Sequence, residues 1–322
     1  MRKKLLIVLL AASLLVLAAC QTTQPASARA IAPRSGEDHY TFGYTCMDGS
    51  NPFFGVILDT IREKVTQRGD ELLVSDPDLD QDLQIRQVED MLGQGLDGLF
   101  INPVDARLIK PALEAAQEQG VPMIGFDTEV ADLSYLVSYT GSHNYNAGKV
   151  CGEDLVKKCP EGGDILVLDA PRVQSVVDRT NGFLDAIVGN GFHVLAQEDA
   201  KADREVAYQV ALELFRTYPN VVAVFGGNDP TALGILQAAE ELGVTNCKIY
   251  GVDGSPAFKQ ILAQGNTLLE GTGAQSPVAI AEKAVELMYS HLEGQELEDL
   301  YPVDTFLITA DNVSEYGTDG WQ

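Results

Sequence analysis

The sequence predicts an α/β protein made of two similar, doubly wound parallel-sheet lobes. Three observations predict it. From Tyr40 onward, short apolar runs alternate with amphipathic stretches. Several runs, such as Leu99-Phe100-Ile101 and Val221-Val222-Ala223-Val224-Phe225, are continuously apolar, as expected of parallel strands buried on both faces. The chain also repeats itself. Asn102 and Asp127 each follow an apolar run and lie 25 residues apart; Asn228 and Asp253 do the same at the same spacing. A chain of 322 residues is long for one domain and ample for two of about 150.

In order, the strand candidates are 40–45, 72–75, 97–101, 122–126, 135–139, 164–168, 192–196, 221–225 and 248–252. The helix candidates are 53–68, 82–93, 105–119, 144–158, 176–188, 204–217, 230–242 and 277–292. Gly125-Phe126-Asp127 and Gly251-Val252-Asp253 occupy equivalent places in the two halves. Each half would then carry a carboxamide and a carboxylate at the C-terminal ends of its strands, where open α/β sheets bind ligands.

Composition narrows the partners. The chain is 45% hydrophobic and 21% charged, a globular balance that argues against disorder. Its net charge of −25 excludes a polyanion binder, since phosphate contacts need clustered Lys and Arg, so no nucleic acid is expected as a partner. The first residues set the compartment. Met1-Arg2-Lys3-Lys4 is basic, and the apolar run from Leu5 to Ala19 suits a secretory signal better than a membrane span of about 20 residues. Residues 1–19 therefore read as a signal peptide. Leu17-Ala18-Ala19-Cys20 resembles a bacterial lipobox, which implies cleavage before Cys20, acylation of its thiol and a protein lipid-anchored on the outer side of the cell membrane. Residues 20–38, rich in Gln, Thr, Pro, Ala and Ser, read as a tether. Cys46, Cys151, Cys159 and Cys247 are expected to be free, mostly buried thiols, although export permits a disulfide.

Other chemistries have weak support. Asp76-Pro77-Asp78-Leu79-Asp80 begins like a calcium loop, but Gln81 and Gln87 stand where glycine and the final acid belong. The four histidines lack metal-ligand spacing, so no metal is expected, and no nucleotide fingerprint, nucleophile elbow or HExxH is present, so no cofactor is implied. Asp127 and Asp253 could serve a glycosidase as acid and base, but no enzyme is expected.

Five motifs in order carry a resemblance: Ser50-Asn51-Pro52-Phe53-Phe54, Ile101-Asn102-Pro103, Gly226-Gly227-Asn228-Asp229, Gly251-Val252-Asp253-Gly254 and Ala274-Gln275. Across residues 40–310 the chain resembles the periplasmic sugar-binding proteins of ABC importers, in the ribose-binding branch. The resemblance implies a type 1 periplasmic binding protein with a three-segment hinge near 140–143, Gln275 and 304–307. Its N-terminal lobe would hold 39–141 plus 276–304, and its C-terminal lobe 142–275 plus 305–322 with a tail. It implies a monosaccharide or polyol ligand delivered to an ABC permease. A second reading is a sensing protein that presents a sugar or autoinducer to a membrane receptor.

Residue by residue, the resemblance implies that Asn51 bonds hydroxyls and that Phe53 and Phe54 flank a sugar ring. It assigns polar ligand contacts to Asp127, Arg179, Asn228, Asp253 and Gln275, with Asn102 a weaker candidate. The chemistry suits sugars: Asp accepts hydroxyl protons, Arg donates, Asn and Gln do both, and aromatic faces cover ring C–H groups. Each residue also has a plainer role open to it. Asn51 could cap a helix, Phe53 and Phe54 could be core, Asp127 and Asp253 could cap the segments that follow, and Arg179 could pair with Asp178 or Asp185. Two positions depart from the ribose pattern: Thr128 stands where an arginine is usual, and Ala202 near where an aromatic is usual. A hexose, ketose or polyol fits as well as ribose.

Overall fold

The computed structural model describes residues 39–322. The proposed signal peptide, Cys20 and tether lie outside the described residues. In chain order the first half runs β1 (Thr41–Thr45), α1 (Pro52–Gln67), β2 (Glu71–Ser75), α2 (Gln81–Leu92), β3 (Gly98–Ile101), α3 (Lys110–Glu118), β4 (Met123–Phe126) and β5 (Ser138–Ser142). There follow α4 (Asn144–Lys158), β6 (Gly163–Asp169), α5 (Gln174–Ile187), β7 (Phe192–Asp199), α6 (Arg204–Thr217) and β8 (Ala223–Gly226). Next come α7 (Asp229–Leu242), β9 (Lys248–Asp253), α8 (Pro256–Ala263) and β10 (Leu269–Ala274). The last elements are α9 (Pro277–Leu292), β11 (Leu300–Val303), β12 (Phe306–Thr309) and α10 (Val313–Tyr316).

Two six-stranded sheets result, ordered β11-β5-β4-β3-β1-β2 and β12-β10-β9-β8-β6-β7. The sheets have the same winding, so the predicted duplication of the fold is real. Pairing is parallel except that β12 runs antiparallel to β10 at the edge of the second sheet. Strand β3 is buried throughout, as is β8, which accounts for their continuous apolar sequence. Phe183 stacks on Phe225 with ring centroids 4.3 Å apart in one lobe, and Tyr44 stacks on Phe126 at 5.3 Å in the other.

The chain passes between the sheets three times: after β5, after β10, and between β11 and β12. The first and third passages are tied together. His143 N–H donates to Val303 O at 3.0 Å, Thr305 Oγ1 donates to His143 O at 3.2 Å, and Asn146 Nδ2 donates to Thr305 O at 2.9 Å.

Local chemistry shifts some predicted boundaries. The fifth strand begins at Ser138, because Asp132 accepts the Ser134 N–H at 3.0 Å and holds Leu133–Tyr135 in a 3-10 turn. The third helix begins at Lys110, because Asp105 takes the N–H groups of Arg107 and Leu108 into a turn. Four free cysteines are described; Cys46, Cys151 and Cys247 are buried and Cys159 is half-buried. Burial pushes the thiol pKa up to about 11 at Cys46 and about 12 at Cys247, which keeps both unreactive near neutrality.

One close approach positions the future site. Helices α4 and α5 touch backbone to backbone at Gly148 and Gly182. A Cβ on Gly148 would sit 1.7 Å from Arg179 O, and one on Gly182 would sit 1.9 Å from Tyr145 O. Only glycine lets the helix that bears Arg179 lie this close to its neighbour. Gly182→Ala is therefore expected to destabilise the protein by about 2 kcal/mol through overpacking, read as a lowered urea midpoint. An unchanged midpoint would contradict this account of the contact.

Candidate functional site

The C-terminal ends of β1, β4, β6, β8, β9 and β10 lead into one cleft of about 630 Å³ between the two sheets. That size lies within the range of small-molecule sites. From the first lobe it is lined by Met47, Asn51, Phe53, Phe54, Asp127 and Thr128. From the second lobe and the central crossing come Val176, Arg179, Ala202, Asn228, Asp253 and Gln275. Eight of the nine sequence-predicted site residues meet here. Asn102 does not.

Asn102 lies behind the cleft, fully buried. Its Oδ1 accepts the Met47 N–H at 3.0 Å, while its Nδ2 donates to Phe126 O at 3.1 Å and Asp127 Oδ2 at 3.3 Å. Its amide is committed to the protein, so it positions Asp127 and the loop after β1. Asn51 caps α1, with Oδ1 accepting the Phe53 N–H at 2.9 Å, and still lines the cleft. Asn228 caps α7 through the Thr231 N–H at 2.9 Å and donates to Ala202 O at 3.0 Å, which leaves it one amide proton.

Neither Asp127 nor Asp253 caps the segment that follows it; Asp253 Oδ2 instead accepts the N–H of Asp229 at the start of α7, at 3.3 Å. Both hold the backbone in the positive-φ region that favours glycine, at +60° and +142°. Leu79, Lys201 and Ala202, also on the cleft, share that region at +63°, +55° and +56°. Strain of this kind, about 1–3 kcal/mol per residue, gathers where a site dictates the backbone.

Arg179, 5% exposed, pairs with neither Asp178 nor Asp185. Its Nη1 donates to Asp253 Oδ1 at 3.1 Å and Gly227 O at 3.2 Å, and its Nε donates to Asn144 Oδ1 at 2.8 Å. Gln275 Nε2 donates to the same Asp253 Oδ1 at 2.8 Å. The other Gln275 amide atom, Oε1, is buried with no hydrogen-bond partner among the described residues. A buried acceptor left open at a cleft suits a ligand hydroxyl.

Burial dominates the electrostatics. It lifts the Asp127 carboxyl to about 6, against the opposing pull of the Arg179 guanidinium and hydrogen bonds from Thr128 and Asn102. Thr128 Oγ1 donates to Asp127 Oδ2 at 3.2 Å. A neutral hydroxyl is a weaker counterpart to a carboxylate than a cation, which leaves Asp127 with less compensation inside its own lobe than a cation would give. Burial also raises Asp253, with Arg179 opposing. Behind it, burial and the Asp253 charge push the carboxyl of the fully buried Asp229 well above the usual carboxylate range.

Asp229 was not singled out by sequence. It accepts the Ser255 N–H at 2.7 Å and the Thr272 hydroxyl at 2.7 Å, so it orders the turn after β9. Its signal was its place directly after Asn228, at the start of a helix. Trp321 was also missed. It lines the cleft and meets the Phe53 ring edge-on at 5.4 Å. Being the only tryptophan of the chain was its one mark in the sequence.

Two similarly wound lobes, tied by three crossings and opening on one cleft of acids, amides and rings, define a two-lobed solute-binding protein. The profile of the family described as periplasmic binding protein domain matches residues 42–296, and the chain belongs to that family. Such proteins are extracytoplasmic and serve transport rather than catalysis. The chain is 32% identical over 260 residues to the ribose import binding protein of Salmonella typhimurium, covering 80% of this chain and 87% of that one. It is 30% identical over 298 residues to the ribose import binding protein of Bacillus subtilis, covering 92% and 95%. An ABC transporter solute-binding protein from Mycobacterium smegmatis, solved with bound glycerol, superposes with a TM-score of 0.81 at 26% identity, over 88% of this chain and 99% of that one. The family resemblance read from the motifs is thereby borne out.

The raised Asp127 pKa has a stability consequence. Its charged form is disfavoured in the folded protein, so its contribution is fully present below about 3.8 and lost as pH rises through about 6. The melting temperature of Asp127→Asn relative to the parent is therefore expected to rise between pH 4 and pH 8. Parallel pH profiles would contradict the assignment.

Proposed function

We propose that this chain is an extracytoplasmic lipoprotein that captures a monosaccharide or polyol in the interlobe cleft and delivers it to an ABC permease. The observation that carries the reading is the convergence of Asp127 from one lobe with Asp253, Arg179 and Gln275 from the other on a single cleft that Phe53 and Phe54 also line. The relatives named for ribose import support the same ligand class.

In this reading each side chain has a spare capacity that matches a hydroxyl. Asp127 accepts, Arg179 Nη2 donates, Gln275 Oε1 accepts, and Asn51 and Asn228 each donate a remaining amide proton. Hydrogen bonds to the charged groups are worth about 1.5–3 kcal/mol each. Four or five of them, less the cost of association, support roughly micromolar affinity. Because Asp127 belongs to one lobe and Arg179 to the other, the full set forms only when both lobes reach the ligand. The ligand thus favours the closed form, which presents both lobes together to the permease. The lobe boundaries in this mechanism are 39–141 plus 276–304 and 142–275 plus 305–322. The lipid on Cys20 keeps the protein at the membrane, and 20–38 gives it reach.

A thermal-shift panel over pentoses, hexoses and polyols tests the ligand class. At a hundredfold excess over Kd the true ligand is expected to stabilise by about 2.7 kcal/mol. Arg179→Ala and Asp253→Ala should each lose at least tenfold in affinity while still folding. Normal binding by both variants would overturn the site assignment. For the anchor, Cys20→Ala is expected to shift the protein from the membrane fraction to the soluble fraction and to abolish incorporation of labelled fatty acid; retention of the label would overturn lipidation at Cys20.

A further inference from the structure

The segment after α10 does not trail into solvent. It returns across the second lobe and is fastened there. Gln260 Nε2 donates to Thr318 O at 3.0 Å, and Lys259 Nζ donates to Gly320 O and Gln322 Oε1, both at 2.9 Å. Lys259 is fully buried on α8, an unusual place for an ammonium group, and its donors serve this segment. Gln322 Nε2 then donates to the backbone carbonyls of Asp253 and Gln275, the two residues that join β9 and β10 to the site. Gly254 makes room for it: a Cβ there would lie 2.3 Å from Gln322 Nε2. Between these anchors, Trp321 projects from the second-lobe side of the cleft onto Phe53 of the first lobe.

The Phe53 ring lies nearly perpendicular to two others, Phe54 at 5.6 Å and 85° and Trp321 at 5.4 Å and 79°. The cleft is therefore flanked by three aromatic side chains, and Trp321 has the largest face. It is only half-buried, and it lines the cleft.

We propose that Trp321 is a ligand-contacting, specificity-determining residue, held in the cleft by Lys259 and Gln322, whose indole face covers the C–H surface of a cyclic carbohydrate and favours rings over open-chain polyols. The proposal rests on the carbohydrate reading above. The physical reason is shape and polarity. A closed sugar or cyclitol ring offers a flat patch of C–H groups that an indole face can cover, whereas an extended polyol spreads its C–H groups along a flexible chain and loses more rotational freedom on binding. The indole also makes one side of the cleft move with the second lobe while touching the first, so its contact depends on how far the lobes have closed.

The test uses the full chain and four probes: D-ribose, D-allose, myo-inositol and D-sorbitol. Calorimetry on the parent gives the tightest ring ligand. Trp321→Ala is expected to weaken that ligand at least tenfold and to narrow its advantage over D-sorbitol, while Trp321→Phe stays within about threefold. Because Trp321 is the only tryptophan, intrinsic emission of the parent should change on titration and saturate at the calorimetric Kd. Lys259→Met, which frees the segment without touching the cleft lining, should weaken ring binding and red-shift the emission. Binding by Trp321→Ala within twofold of the parent would overturn the proposal. Tighter binding would also overturn it, because the indole would then be an obstruction. If the parent binds none of the four probes, nor any sugar of the wider panel, the carbohydrate reading itself falls. If the parent binds and Trp321→Ala is indifferent, only the present inference falls.

Discussion

A carboxylate withdrawn from water must be given donors, and this molecule withdraws two at one cleft. Asp127 and Asp253 are held at strand ends on strained backbone, with burial working against their ionisation. Asp253 is compensated inside its own lobe by Arg179 and Gln275. Asp127 takes side-chain hydrogen bonds from an amide and a hydroxyl, Asn102 and Thr128, and feels the Arg179 charge from the other lobe. On the first-lobe side Asp127 therefore has fewer hydrogen-bond donors than Asp253 has on the other, and the proposed hydroxyl-rich ligand would supply more. The fold places these two acids at strand ends on one shared cleft.

That placement is visible at each level. Parallel strands end on the same side of a sheet, so a doubly wound lobe delivers several loop residues to one edge. Duplication of the lobe sets two such edges face to face. Glycines at the crossing of α4 and α5 bring Arg179 close enough to reach Asp253. Asp229, buried behind, orders the turn after β9 through Ser255 and Thr272. The first and third crossings are hydrogen-bonded to each other, which ties the lobes together at one edge of the cleft.

Much of this was legible in the residues because buried parallel strands leave an unbroken apolar trace and the site follows directly after them. Asp127, Asn228 and Asp253 could be picked out by their strand-end context and Asn51 by its place before a helix, whereas Arg179, inside α5, and Gln275, after a strand without a clear signal, were reached only through the family resemblance. The last third was harder to read. Strand β10 is Leu-Glu-Gly-Thr-Gly-Ala, whose small residues give no strand signal, and β11 and β12 are four residues each, at sheet edges. Helix α8 has only eight residues and escaped the periodicity reading. Asn102 showed its motif but not its direction, since an Asn-Pro pair after a strand looks the same whether the amide faces ligand or neighbouring backbone. Trp321 was illegible for a different reason: its place is set by long-range bonds to Lys259, Asp253 and Gln275, and no local pattern encodes these.

The claim on which the rest stands is that one uncharged, hydroxyl-bearing molecule bridges the two lobes. A crystal structure with the carbohydrate that stabilises the protein most would test it most directly. The account requires a single ligand with hydroxyl oxygens within hydrogen-bonding distance of Asp127 on one side and of Arg179 or Gln275 on the other, in a cleft narrower than that of the free protein. A ligand that touches one lobe alone, or that binds away from Asp127 and Asp253, would contradict it.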